Sequence, residues 1–206
     1  MNDLEDRLAG SHEVSDATAG DMERLRALLS RRADQHDVLD VAYRTLDTPV
    51  GNLLLAATPA GLLRVAYPAE NHDAVLAALA DRVSPRILRA PARLDDAARQ
   101  LEEYFAQHRH QFDLPLDLQL ARGFRRTVLE HLPRVGYGHT TSYASLAAEV
   151  GNPRAVRAVG TACATNPLPL ILPCHRVVRS DGTTGAYVGG HDVKLTLLNL
   201  EHGGAR

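Results

Sequence analysis

The chain has 206 residues, 45% of them apolar and 23% charged, with a net charge of −2. That is enough apolar content for a packed core, in one large domain or two small ones. No apolar run approaches the roughly 20 residues that a membrane span needs, and two cysteines, Cys163 and Cys174, are too few for a disulfide framework.

The opening "MNDLEDRLAG" is acidic and lacks the basic-then-apolar layout of a secretory signal. With free thiols expected, this points to a cytoplasmic protein. Charge is unevenly divided. Residues 1–119 carry 13 arginines against 20 acids, a net of −7, whereas residues 120–206 carry 10 basic residues against 5 acids, a net of +5. A basic C-terminal part suggests a polyanionic partner.

In chain order, residues 1–37 read as an acidic N-terminal extension with one helical patch, "DMERLRALLSRR", in which Leu25, Leu28 and Leu29 have helical spacing. From Val38, short β-like runs follow: "VLDVAYRTL", "NLLLAAT" and "LLRVAYP", separated by the turn signals "TPVGN" and "TPAG". They predict a small antiparallel meander. Helices are expected at about 72–83 and 94–107, and "FDLPLDLQL" reads as one more strand or an extended connector. Residues 38–119 thus form an N-terminal α+β domain.

The remainder, 120–206, reads as mostly helical. "RGFRRTVLEHLPRV" puts Phe124, Val128, Leu132 and Val135 on one face, and "SYASLAAEV" repeats Tyr143, Leu146, Ala147 and Val150 at i, i+3, i+4, i+7. In the following "GNP", Gly151 can turn left-handed, Asn152 can cap and Pro153 suits the first helical position. The next helix is expected to bury Val156, Val159, Gly160 and Cys163 and to turn Arg154, Arg157, Ala158 and Thr161 outward. Helix, glycine turn, then a helix with outward arginines and small residues is a helix-turn-helix layout.

Cys174 follows "NPLPLILP", whose prolines Pro167, Pro169 and Pro173 disfavour helix. A rigid, buried, extended approach to the cysteine is predicted. His175 and Arg176 come next, and either could lower the thiol pKa directly or through a water. A positioned thiolate beside a base suits nucleophilic catalysis. Cys163, on the inner face of its helix, reads as a small buried hydrophobe.

The segment "NPLPLILPCHRVV" closely resembles the active-site motif of the O6-alkylguanine-DNA alkyltransferases, single-use DNA repair proteins. "SYASLAAEVGNPRAVRAVG" looks like that family's helix-turn-helix, "SDGTTGAYVGG" like its substrate-pocket loop and "KLTLLNLE" like its final helix. The strong resemblance covers about 120–202; residues 38–119 resemble the family's N-terminal domain in size and strand pattern only. It implies an α+β fold, a small ribonuclease H-like domain followed by a helical DNA-binding and active-site domain.

The resemblance further implies that Cys174 takes an alkyl group irreversibly from guanine O6, with O4-alkylthymine open as a second substrate. His175 would take the thiol proton through a bridging water, and Glu201 would orient His175. Tyr143 would donate a hydrogen bond to guanine N3. Tyr187, the Val188–Gly189 backbone, Val177, Cys163, Asn166 and Pro169 would line or support the pocket. The target nucleotide must leave the duplex, and Arg157 matches the arginine that takes its place, through a minor-groove approach. Arg154 and Ser180 would contact phosphates, with Asn152, Ala155 and Ala158 on the same face.

Three departures from the family pattern stand out. Val188 replaces a small polar residue found in some relatives, Cys163 replaces a larger apolar one, and Leu129 replaces a tryptophan. No cofactor and no metal is implied: a zinc site built from N-terminal cysteines cannot exist here, because no cysteine precedes Cys163. The implied partner is double-stranded DNA containing alkylated guanine, met by a monomer, with cooperative binding along DNA left open. The alternative reading is a non-catalytic protein that recognises alkyl lesions, or a helix-turn-helix regulator.

Overall fold

The computed structural model describes residues 19–36 and 38–203, so most of the acidic extension lies outside the described residues. The helical patch within it is α1 (Ala19–Gln35). Ala33 is buried, whereas Leu25 and Leu29 remain 58% and 56% exposed.

The predicted meander is present as β1 (Val41–Thr48), β2 (Gly51–Thr58) and β3 (Gly61–Ala66), all antiparallel. A fourth strand, β4 (Ile87–Arg89), pairs parallel to β1, giving the order β3-β2-β1-β4. At three residues β4 is too short to show an alternating pattern, and the sequence reading passes over it. The central strand β2 is continuously apolar because both of its faces are covered. Leu53 and Leu55 point into the main core with Tyr104, Leu129 and Leu172. Ala56 joins Val41, Leu63 and Leu79 on the other face, beneath α2 (His72–Arg82). The Asn71 side chain caps α2 by accepting from the backbone N–H groups of Asp73 and Ala74 at 3.1 and 3.3 Å.

After α3 (Asp95–Phe105), the stretch "FDLPLDLQL" is a connector with a single bridge, Leu116 to Leu62, and not a ladder strand. Two backbone bonds, Leu62 N to Pro115 O at 2.8 Å and Asp117 N to Leu62 O at 2.9 Å, lay it along β3. Farther along the same edge, Val65 N donates to Pro167 O at 2.9 Å. The exposed edge of the sheet is therefore closed by its own connector and by the approach to Cys174.

The helical half consists of α4 (Gly123–His131), β5 (Thr141–Ser142), α5 (Tyr143–Glu149), α6 (Val156–Ala164), β6 (Val177–Val178) and α7 (His191–Gly203). Gly151 takes φ +78° at the α5–α6 turn. Two expectations fail here. The second helix begins at Val156 and not at Pro153, because Ala155 N closes a tight turn onto Asn152 O at 2.9 Å. Val156 is 37% exposed, and Ala162 takes its place on the inner face with Val159 and Cys163.

Gly61 lies at φ +139°, and a Cβ there would fall on Pro115 O. Gly61→Ala is expected to destabilise the fold by about 2–3 kcal/mol through backbone strain and overpacking, read as a lowered urea midpoint with an unchanged slope.

Candidate active site

The segment before Cys174 is buried, as expected, but it is not extended. Leu172 N closes onto Leu168 O at 2.8 Å, and Leu170, fully enclosed, is held at φ +73°. A leucine in that region costs roughly 1–2 kcal/mol, so the surroundings impose the turn. Asn166 supplies the clamp. Its Oδ1 accepts from Leu168 N at 2.9 Å, and its Nδ2 donates to Leu172 O at 2.7 Å. The same Nδ2 reaches the Cys174 sulfur at 3.2 Å.

Cys174, His175 and Arg176 form one 3-10 turn running directly into β6. β6 pairs parallel with β5, Val177 opposite Thr141 and Val178 opposite Ser142. That pairing brings the start of α5 beside the cysteine turn. The Ser142 hydroxyl caps α5 by accepting from Ser145 N at 2.9 Å, so Tyr143 is the first helical residue. Room for the Tyr143 ring exists because residue 185 is glycine: a Cβ there would collide with the phenol.

His175 is completely enclosed, and its Nε2 lies 2.8 Å from Glu201 Oε1. An ionised carboxylate only accepts, so Nε2 carries the proton. Nδ1 is left as a buried nitrogen with no protein partner. Burial holds the imidazole below its ordinary pKa despite Glu201 beside it, which keeps His175 neutral at neutral pH with a free lone pair on Nδ1.

Glu201, on α7, gathers further donors: Arg176 through Nε at 2.9 Å and a terminal nitrogen at 3.0 Å, Tyr104 Oη at 2.7 Å and Gly138 N at 3.3 Å. Burial acts to raise its pKa, but the bonds from His175 and Arg176 outweigh it and hold the carboxyl at about 2. Arg176 also donates to Val135 O at 2.6 Å. Arg176 is therefore committed to Glu201 and the backbone, and it does not face the thiol as the sequence order suggests.

The thiol itself corrects an expectation. Burial pushes Cys174 up, to about 11, and the pull of Asn166 and of the Lys194 charge does not undo this. In the resting protein Cys174 is a thiol. Lys194, on α7, is a polar neighbour the sequence reading did not single out. Its ammonium is fully buried and donates to Val177 O at 2.6 Å.

Tyr143, Tyr187, Val188 and Gly189 are half-buried, whereas Pro169, Val177 and Cys163 are buried. The Tyr187 hydroxyl meets that of Tyr67 at 2.9 Å, and Gly189 leaves space for the Tyr67 ring. Val188 also borders a groove with Arg64, Glu70, Thr165 and Asn166. Tyr67 and Tyr104, contributed by the N-terminal half, carry no sequence signal that distinguishes them from core aromatics. On the outer face Asn152, Arg154, Arg157, Ala158 and Ser180 are exposed and Ala155 is half-buried. Among the described residues no group of three or more His, Cys, Asp or Glu is placed to hold a metal ion.

A helix-turn-helix carrying exposed arginines, together with a buried cysteine followed by a carboxylate-held imidazole, matches the layout of a DNA-binding protein with a thiol at its site. Residues 123–203 match the family model described as the 6-O-methylguanine DNA methyltransferase DNA binding domain, and residues 41–118 match its ribonuclease-like domain. The chain is 38% identical to the constitutive methylated-DNA–protein-cysteine methyltransferase of Bacillus subtilis, over 77% of this chain and 94% of that one. It is 36% identical to the methylated-DNA–protein-cysteine methyltransferase of Methanosarcina barkeri, over 80% of this chain and 99% of the relative. The crystal structure of Mycobacterium tuberculosis O6-methylguanine methyltransferase superposes with a TM-score of 0.66 at 35% identity, covering 81% of this chain and 95% of that one. A structure of the same mycobacterial protein in complex with DNA also scores 0.66, covering 80% of this chain and 94% of that one. The chain belongs to the 6-O-methylguanine DNA methyltransferase family.

Because the folded pKa of Glu201 lies near 2, below its ordinary 4.5, the carboxylate stabilises the fold fully above about pH 4.5. That contribution disappears as pH falls through about 2. Removing the charge leaves Arg176 buried and unpaired, so Glu201→Gln is expected to cost about 3–5 kcal/mol at pH 7. The gap from wild type should narrow steadily between pH 4.5 and 2 in denaturant titrations.

Proposed function

We propose that Cys174 is the acceptor in a single-use repair reaction on duplex DNA. The family's chemistry is the transfer of an alkyl group from guanine O6 to a cysteine of the protein, and this chain is a DNA alkyltransferase of that kind. The observation that carries the assignment of Cys174 is its sulfur held by Asn166 at 3.2 Å, next in the chain to a neutral histidine anchored on a carboxylate.

The Cys174 thiol gives its proton to the unpartnered Nδ1 of His175, through one water. Glu201 steadies the imidazolium that forms, in the manner of an acid–base–nucleophile triad. The sulfur then bonds the alkyl carbon as the carbon–O6 bond breaks, and that electron pair remains on guanine. Tyr143 offsets it by donating to N3, and burial keeps the phenol protonated, with a pKa of about 12. The product cysteine is a thioether, which no group in the site can reverse, so each molecule acts once.

Reaching O6 requires the nucleotide to leave the stack. Arg157, exposed on α6, fills the gap left behind, and small Ala155 and Ala158 let the helix approach the DNA backbone through the minor groove. Arg154, Asn152 and Ser180 serve as phosphate contacts on the same surface. Tyr187 and Gly189 line the base pocket with Val188, whose apolar side chain leaves any hydrogen bond to O6 to the backbone. Pro169 and Cys163 shape its wall, and the main chains of Val177 and Cys174 face the exocyclic groups of the base. The partner is alkylated duplex DNA, met by a monomer. Both cysteines are free, which supports a reducing, cytoplasmic setting for a protein that consumes a thiol. Among the described residues no helix is long and apolar enough to cross a membrane.

Exposure to a duplex containing O6-methylguanine should add one methyl to the peptide holding Cys174, with a stoichiometry that stops at one per protein. Tight lesion binding with no mass change would instead identify a non-catalytic recognition protein. Cys174→Ala should abolish transfer and retain DNA binding. Arg157→Ala should slow duplex repair at least about tenfold while leaving reaction with the free alkylated base near wild type; equal slowing of both would argue against the stack-filling role.

A further inference from the structure

The loop of residues 180–190 joins β6 to α7 and holds glycines at 182, 185, 189 and 190. A loop so rich in glycine has little backbone stiffness of its own. Its ends are tied down. Arg179 N donates to Thr183 O at 2.9 Å, and the Thr184 hydroxyl lies 3.0 Å from His191 Nδ1. Residues 185–189, which include Tyr187, Val188 and Gly189, form its middle. Gly190 N closes onto Tyr187 O at 3.0 Å, a turn internal to the loop. Among the described residues a single hydrogen bond ties residues 185–189 to anything outside the loop: Tyr187 Oη to Tyr67 Oη, at 2.9 Å.

Tyr67 belongs to the other domain and is held firmly there. It directly follows β3 and is 1% exposed. Its backbone N–H donates to Glu70 Oε1 at 2.9 Å, and Glu70 pairs with Arg64 of β3. The Tyr67 ring stands edge-on to Tyr187, with centroids 5.8 Å apart and planes at 64°. Tyr187 in turn stands edge-on to His175 at 6.3 Å. The loop has no slack toward its neighbours. A Cβ at position 185 would collide with the Tyr143 phenol, and a Cβ at position 189 would fall 2.9 Å from the Tyr67 ring. The backbone already lies as close to both tyrosines as glycine allows. The displacement left to it is outward, away from Tyr143, and that displacement breaks the hydroxyl bond.

We propose that Tyr67 is a positioning residue of the alkyl-transfer site: its hydroxyl holds Tyr187, and with it residues 185–189, at a distance from Tyr143 that limits the size of the alkyl group admitted. This deepens the alkyl-transfer reading of the same pocket and rests on it. Tyr67 touches no reacting atom and acts through Tyr187. The brace comes from the sheet domain, so the width of a pocket in the helical domain is set across the seam between the two.

The ratio of repair rates on duplexes carrying O6-methylguanine and O6-benzylguanine tests this. The two duplexes share their DNA contacts, and a general loss of stability lowers both rates together. Tyr67→Phe keeps the ring against Gly189 and removes the hydroxyl; Tyr187→Phe removes the same bond from the loop side. Each should lower the methyl-over-benzyl ratio at least about threefold, within the usual worth of one neutral hydrogen bond. The double variant should match the single ones, because the bond can be lost only once. A ratio unchanged in Tyr67→Phe, or single effects that multiply in the double variant, overturns the proposal. Should Tyr67→Phe fail to fold, as judged by urea unfolding, the ratio in Tyr187→Phe decides by the same criterion. Normal transfer with an unmoved ratio refutes the brace alone. A wild-type protein whose Cys174 gains no methyl refutes the transfer reading and the brace with it.

Discussion

The Glu201 carboxylate is the point on which the two halves of the molecule close. It lies in a low-dielectric interior and survives there as an anion because its four donor residues come from three directions: Tyr104 from the sheet domain, Gly138 from the loop before β5, and His175 and Arg176 from the cysteine turn. Buried charge is tolerable only when paired and hydrogen-bonded, so each donor must be delivered in place for the others to be satisfied. His175 is thereby oriented by the same network that holds α7 against α3.

A second constraint works at the sheet edge. β3 leaves a row of backbone groups that must be covered, and part of that row is met by Pro167, inside the approach to Cys174. Arg64 of β3 reinforces the seam by donating to Asn166 O and Pro167 O at 3.3 and 3.2 Å and by pairing with Glu70. Asn166 in turn grips the sulfur. The N-terminal sheet thus backs the segment that leads to Cys174.

The resting site is poised and not pre-ionised. The thiol is raised by burial, the imidazole is neutral, and the Glu201 anion is consumed by its own donors. A buried thiol is a far poorer nucleophile than the anion, so the resting Cys174 is guarded from adventitious electrophiles.

Much of this was readable from the sequence. Alternating apolar runs and proline–glycine turns mark the three-stranded meander; helical spacing marks α2 to α6; and the ordered set "NPLPLILPCHRVV", "GNPRAVRAVG" and "KLTLLNLE" marks the family. Those features are local, set by side-chain periodicity and backbone stereochemistry. What required the fold was everything produced by contact between distant segments. The three-residue β4 exists because β1 offers it a parallel partner, and Leu170 turns left-handed because Asn166 pins both sides of it. Arg176 faces Glu201 and not its neighbour in sequence, Tyr67 and Tyr104 reach the site from another domain, and Lys194 is driven inside. Sequence adjacency gives no information about which charges share a low-dielectric interior; only packing brings them together, and desolvation then decides which of them stay ionised.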